Sequence, residues 1–210
     1  IYNDGPLRLA DNFMGETYDA NKEVNGWQQA NFDDSRWENV AIDKDVKINL
    51  VPQVNQPIEV VETLISKSVS ETKEGHYIFD VGENIAGWCK IQLEGEPGDL
   101  IVLQHGEMLQ EDGELYTENL GMAVQIDSVI LGATGKLEYE PRFTYHGFRF
   151  VEVKGLRSQP DKNILEAKVV ASDQLRTGLF SCSNPMLNQL YKNINRSHVS
   201  NMHGVPTDCP

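Results

Sequence analysis

The sequence predicts a mainly β protein: an antiparallel β-sandwich, preceded by a partial β-domain and followed by one amphipathic helix. Three observations carry this. From about residue 75 to 170, short runs rich in β-branched and aromatic residues follow one another, separated by turn residues and without a helical period. Before residue 70 the large apolar residues stand singly among turns. After residue 183 the apolar spacing changes to that of a helix.

The first segment opens on the turn signal Asn3-Asp4-Gly5-Pro6, and Gly15, Asn25-Gly26 and Asp33-Asp34-Ser35 continue it. Its apolar residues (Phe13, Tyr18, Trp27, Phe32, Trp37) are too isolated to hold a core alone, and residues 58–64 make the first convincing strand. Strands follow at 76–80, 87–93, 100–105, 123–131, 148–153 and 167–171, with Gly-, Pro- and Asp-rich turns at 94–99, 111–113 and 132–135. Within them Phe79, Trp88, Ile91, Leu93, Val102, Phe148 and Val151 are expected to point inward. Short strands at this spacing without helices between them predict the sandwich. The helix starts at Asn184, an N-cap, with Pro185 at the first helical position; Leu187, Leu190, Tyr191 and Ile194 form its stripe. Such a stripe needs a partner: the sandwich, or another copy of the chain in a homo-oligomer.

The 210 residues carry 32 acidic against 18 basic side chains, a net charge of −14. That balance argues against nucleic acid or an anionic membrane as partner, because both attract clustered Lys and Arg. Cys89, Cys182 and Cys209 show no metal-ligand spacing, and the five histidines stand singly. No metal site is therefore expected from spacing. Nor does any tract have the length of about 18 apolar residues that a spanning helix needs.

Three stretches together resemble the bacterial α-L-rhamnosidases. The first is Gly15-Glu16-Thr17-Tyr18-Asp19-Ala20 with Gly26-Trp27 and Phe32-Asp33-Asp34-Ser35-Arg36-Trp37, similar to the end of the family's N-terminal β-domain. The second runs from Phe79-Asp80 through Gly82, Asn84 and Gly87-Trp88 to Gly106-Glu107, Asp112-Gly113 and Pro141 to Arg149. It is similar to the family's concanavalin-like (jelly-roll) sandwich. The third, Thr177 to Phe180, Ser183-Asn184-Pro185 and Val205 to Pro210, is similar to the entrance of an (α/α)6 catalytic barrel. The resemblance implies three units: 1–70, the tail of the N-terminal β-domain; 71–176, the sandwich; 177–210, the linker and first helix of the barrel. It implies a glycoside hydrolase acting on terminal α-L-rhamnose, with the barrel as partner in cis and rhamnose-containing carbohydrate as substrate. The start at Ile1 and the end at Pro210 read as cuts in a longer protein. The catalytic carboxyls then fall beyond Pro210 and the compartment stays open, cytoplasmic or periplasmic or secreted.

No catalytic residue is expected in the chain itself. Glu107 with Asp112 or Glu114, and Glu16 with Asp19, invite a carboxylate-pair reading, but acids in Gly-rich turns usually serve local hydrogen bonds. Asp11 and Asn12 are the sugar-binding candidates; the resemblance adds calcium at that loop, since hard cations take carboxylate and amide oxygens. The alternative reading is a self-standing carbohydrate-binding module with Trp27 or Trp37 as its platform. Gly82 and Asn84 are read as a turn after a strand end, and Arg149 as a residue facing away from Phe148 and Phe150, either paired at the barrel contact or solvated.

Overall fold

A computed structural model describes residues 5–44 and 47–207; Asn3, Asp4, Asp208, Cys209 and Pro210, all named above in motifs, lie outside the described residues. The chain opens with an antiparallel hairpin of β1 (Leu7–Asp11) and β2 (Gly15–Asp19), which the sparse apolar pattern does not announce. Among the described residues, 23–57 hold turns and no strand. Then come β3 (Ile58–Ile65), β4 (Ser68–Glu71), β5 (Tyr77–Glu94), β6 (Leu100–Gly106), the small pair β7 (Met108–Leu109) and β8 (Leu115–Tyr116), β9 (Ile126–Ile130), β10 (Lys136–Tyr139), β11 (His146–Lys154) and β12 (Leu165–Ser172). The helix α1 (Pro185–Ser200) follows, then the short pair β13 (Met202–His203) and β14 (Val205–Pro206).

The expected β-rich architecture with one C-terminal helix is present, with a different continuity. Ten strands form a single curled sheet, in the order β1-β2-β9-β6-β11-β5-β12-β3, with β4 and β10 also paired to β5. Every pairing in it is antiparallel except β2 with β9. Strands from both sides of residue 70 therefore share one hydrogen-bonded sheet.

The sheet turns over on β5. The runs 76–80 and 87–93, which read as two strands, belong to one strand of 18 residues. Asp80 lies opposite Phe150 and Ile85 opposite Phe148, so residues 81–84 face Arg149 alone, a wide bulge. β11 pairs with β5 on both sides of the bulge; β4 joins it before the bulge, and β12 and β10 after it. The curled inner face closes on Phe79, Ile91, Leu103, Val129, Phe148, Val151 and Leu165, all fully buried.

The bulge also shifts parity along β11. Phe148, Val151 and Val153 point into the main core, whereas Phe150 joins Ile78 and Leu115 in a second cluster. Two expected core residues are corrected by the same period-two rule. Val102 alternates with the buried Ile101 and Leu103, and Trp88 with Gly87 and Cys89, so both are only half-buried. The Trp88 indole N–H donates to Glu140 Oε1 at 2.6 Å instead.

A buried carboxylate ties the first hairpin to the rest. Glu16 is fully buried and accepts from the backbone N–H groups of Arg142 (2.9 Å) and Phe143 (3.2 Å) and from the Tyr139 hydroxyl (3.2 Å). Burial without those donors would cost several kcal/mol, so strand and loop are held as a unit.

Where β5 passes β12 the backbones are in close approach: a Cβ added at Gly87 would sit 1.8 Å from the Lys168 carbonyl oxygen. We expect Gly87→Ala to lower stability by about 3 kcal/mol or more, since backbone rather than a flexible side chain must move. Trp88→Ala should lose only about 1–2 kcal/mol, the share of a half-buried ring and one hydrogen bond. Urea melts of both variants check the order; a larger loss for Trp88→Ala would place the indole in the core after all.

Candidate functional site

The bulge presents a ledge, and α1 lies against it. Asp80 holds the near end: its carboxylate takes Arg149 Nε and Nη2, each at 2.8 Å, and the Gly82 N–H at 2.6 Å. The Arg149 guanidinium also lies over the Phe150 ring, 4.8 Å from its centre, so it does not face away from that residue as expected. The Arg149 hydrogen bonds hold the Asp80 carboxyl below the usual range, against its partial burial. Asn84, read from sequence as a turn residue, reaches sideways: its amide donates to Glu107 Oε1 at 2.8 Å. Asn119 donates to the other oxygen of Glu107 at 3.0 Å.

The helix meets this ledge through charge rather than through its stripe. Arg196 Nε donates to Glu83 Oε2 (2.9 Å) and Nη2 to Glu62 Oε2 (2.8 Å), bridging the bulge to β3. Val199 packs against the core. The upstream turns stand away: Leu187, Leu190 and Ile194 are about half exposed, and α1 has no buried residue. Asn184 caps the helix as expected, accepting from the Met186 N–H at 2.9 Å. Tyr191 is held by the preceding segment, donating to the Gly178 carbonyl at 3.1 Å and packing its ring at a tilt against Phe180. Between ledge and helix runs an open polar groove of about 920 Å³, lined among others by Glu62, Glu83, Asn84, Glu107, Lys192 and Arg196.

Each member of the carboxylate pairs considered above is engaged by other groups of the protein, Glu16 by the loop after β10. Asp19 caps a short 3-10 turn through the Asn21 N–H, Glu107 is clamped by two asparagines, Asp112 pairs with Lys73 at 2.7 Å, and Glu114 accepts the Lys73 N–H at 3.1 Å. Asp11 Oδ1 accepts from the N–H groups of Phe13 (2.8 Å) and Met14 (2.9 Å), an Asx-turn at the tip of the first hairpin, with Asn12 exposed beside it. A calcium ion takes six to eight oxygens. Among the described residues no set of three His, Cys, Asp or Glu ligands includes Asp11. The one set of that kind is His105, Asp127 and His146. Spacing could not reveal it, because three different strands supply it; only their adjacency in the sheet brings the ligands together.

Comparison with known proteins follows the same order along the chain. A family model described as the α-L-rhamnosidase N-terminal domain matches residues 2–62. The bacterial α-L-rhamnosidase concanavalin-like domain matches 70–171, and the bacterial α-L-rhamnosidase 6 hairpin glycosidase domain 175–210. An α-L-rhamnosidase of Streptomyces avermitilis is 40% identical over 207 residues, covering 98% of this chain and 20% of the relative. One from Alteromonas sp. (strain LOR) is 37% identical, covering 98% and 23%. The solved Streptomyces avermitilis enzyme, complexed with L-rhamnose, superposes with a TM-score of 0.91 over 97% of this chain and 20% of its own, at 40% identity. The α-L-rhamnosidase from Dictyoglumus thermophilum gives 0.93 at 38% identity, over 99% of this chain and 24% of its own. The chain thus spans about a fifth to a quarter of the length of the relatives it matches.

Two outcomes are expected at the ledge. Arg196→Ala should speed amide exchange in the last two turns of α1 about tenfold, equivalent to about 1.4 kcal/mol, with little change in global urea melts. Asp80→Asn tests the other pair through pH. Because the folded carboxyl titrates below its ordinary value of 3.8, its contribution is present above that value and lost as pH falls through the folded one. The stability gap between the parent chain and Asp80→Asn should therefore narrow as pH falls through and below the ordinary value of 3.8. A gap independent of pH would mean that packing, not the ion pair, is being measured.

Proposed function

The chain belongs to the bacterial α-L-rhamnosidase family, and from that premise we propose that it is the β-rich, non-catalytic support of an enzyme removing terminal α-linked L-rhamnose from glycosides or polysaccharides. The observation that carries this reading is the docking of α1. The helix lies in the stretch matched by the glycosidase-domain model, is fixed to the sandwich by Arg196, and leaves Leu187, Leu190 and Ile194 open for helices of the same domain. In this reading residues 1–70, 71–176 and 177–210 are the tail of the N-terminal β-domain, the sandwich and the barrel entrance.

Glycoside hydrolysis requires a protonated carboxyl on the leaving oxygen, and a second carboxylate acting on water or on the sugar. The acid of such a pair has its pKa raised. Among the described residues, every Asp or Glu with a shift is shifted down: Asp11, Asp33, Asp80, Asp99, Asp112, Asp127 and Glu166. That direction suits ion pairs and turns, and supports a structural part for this region. The acid–base pair is assigned to the barrel.

A second reading, a sugar-binding face on residues 1–70, is favoured by Trp27 and Trp37, each 51% exposed, with Trp37 steadied by Phe32 at 5.2 Å. Asp11 and Asn12 belong to this reading. The purified chain should release no aryl group from an aryl α-L-rhamnoside under conditions where the Streptomyces avermitilis enzyme turns over. Release that disappears in Glu107→Gln or Glu16→Gln would move the active site into the sandwich. Calorimetry with L-rhamnose separates the two readings: no heat fits a support, whereas saturable heat lost in Trp37→Ala fits the sugar-binding face.

A further inference from the structure

Beneath the sheet surface lies a cluster that the supporting role does not use. His105 on β6, Asp127 on β9 and His146 at the start of β11 come from three adjacent strands, and all three are essentially without solvent exposure. One nitrogen from each ring and one carboxylate oxygen lie within 4.8 Å of one another. The two imidazoles are 4.4 Å apart between centres, which disfavours charge on both.

The hydrogen bonds leave this cluster short of donors. His105 Nδ1 is 3.0 Å from the Gln125 carbonyl oxygen, which only accepts, so that nitrogen carries the proton. With that proton on Nδ1, a neutral His105 bears a lone pair at Nε2. Nε2 faces Asp127 Oδ2 at 4.0 Å, beyond hydrogen-bond reach, and neither atom has a hydrogen-bond partner. Asp127 Oδ1 is already taken by the Glu16 N–H (2.8 Å) and by His146 Nε2 (3.1 Å). With its proton on Nε2, a neutral His146 presents a lone pair at Nδ1, which also lacks a partner. Three buried acceptors thus lack a donor. One water donates two hydrogens and leaves an acceptor unserved; a four-coordinate cation takes lone pairs from all three.

We propose that His105, Asp127 and His146 form a structural site for a divalent transition cation of the zinc type, stapling β9, β6 and β11 inside the core. Two imidazoles and a carboxylate are the donor set that suits Zn²⁺, and a carbonyl receiving the far N–H of His105 is the usual orienting partner of a ligating histidine. The Glu16 N–H on Asp127 extends the staple to β2.

The site is closed, so uptake needs refolding. The chain is unfolded in urea with a chelator, refolded with ZnCl₂ or CoCl₂, and freed of excess metal. One equivalent of bound metal is expected, together with a higher melting midpoint than the chelator-refolded chain and visible absorption bands for Co²⁺. His105→Gln and His146→Gln should weaken binding by more than roughly 100-fold, while His198→Ala on α1 keeps it. If the two Gln variants do not fold, nuclear magnetic resonance on the Co²⁺ form of the parent chain decides: the shifted ring protons must be those of His105 and His146. Refolded parent chain without metal, metal retained by both Gln variants, or shifted protons from other histidines would overturn the proposal.

Discussion

Much of this structure depends on one irregularity, the bulge of residues 81–84 inside β5. A strand of 18 residues is too long to stay in one flat sheet, because neighbouring strands twist steadily relative to one another. Four residues set against one interrupt the ladder with β11, let β5 take β12 and β10 in place of β4 while β11 continues on both sides, and close the inner face on itself. The loop this creates carries polar backbone near a dry core, and its near end is secured by charge. The Asp80 carboxylate, taking two guanidinium donors and the Gly82 N–H, is that lock.

The same loop makes the surface on which the helix rests. With Asp80 held, Glu83 is free to meet Arg196 and Asn84 to meet Glu107. Fold and ledge therefore share one cause. On the opposite flank the connection is made by buried carboxylates: Glu16 binds the loop after β10, and Asp127 receives the Glu16 N–H. Both connections are thus fastened by acids that the composition alone would assign to the solvent.

How much was legible in sequence follows from which interactions are local. The helix start was readable because Asn184 and Pro185 act on adjacent residues, and most strands because the period of two is local as well. Parity was not safe across a bulge: Phe148 and Phe150 look equivalent in sequence, yet the extra residues opposite Arg149 send them to different clusters. Arg196 carries no local signal, because its partners are 113 and 134 positions away. His105, Asp127 and His146 were invisible for the same reason. Glu16 lies near Asp19 in sequence and reads as a turn carboxylate, yet its donors lie 123 to 127 positions along the chain.

The docking of α1 bears on how a support of this kind can work. Had Leu187, Leu190 and Ile194 been buried against the sandwich, each would contribute about 1.5–3 kcal/mol, and the helix would be committed to this sheet alone. Instead the hold is one guanidinium fork and a few apolar contacts near Val199, which fixes position and orientation without consuming the apolar face. Charge-assisted forks are directional, whereas apolar contact is not, so the ledge is suited to setting the angle at which the helix leaves the sandwich. In the proposed support, a second layer of helices packs on a stripe already aimed. The division of labour is physical: ion pairs on the sheet side give the helix its direction, and the open apolar side supplies the larger free energy once neighbouring helices cover it.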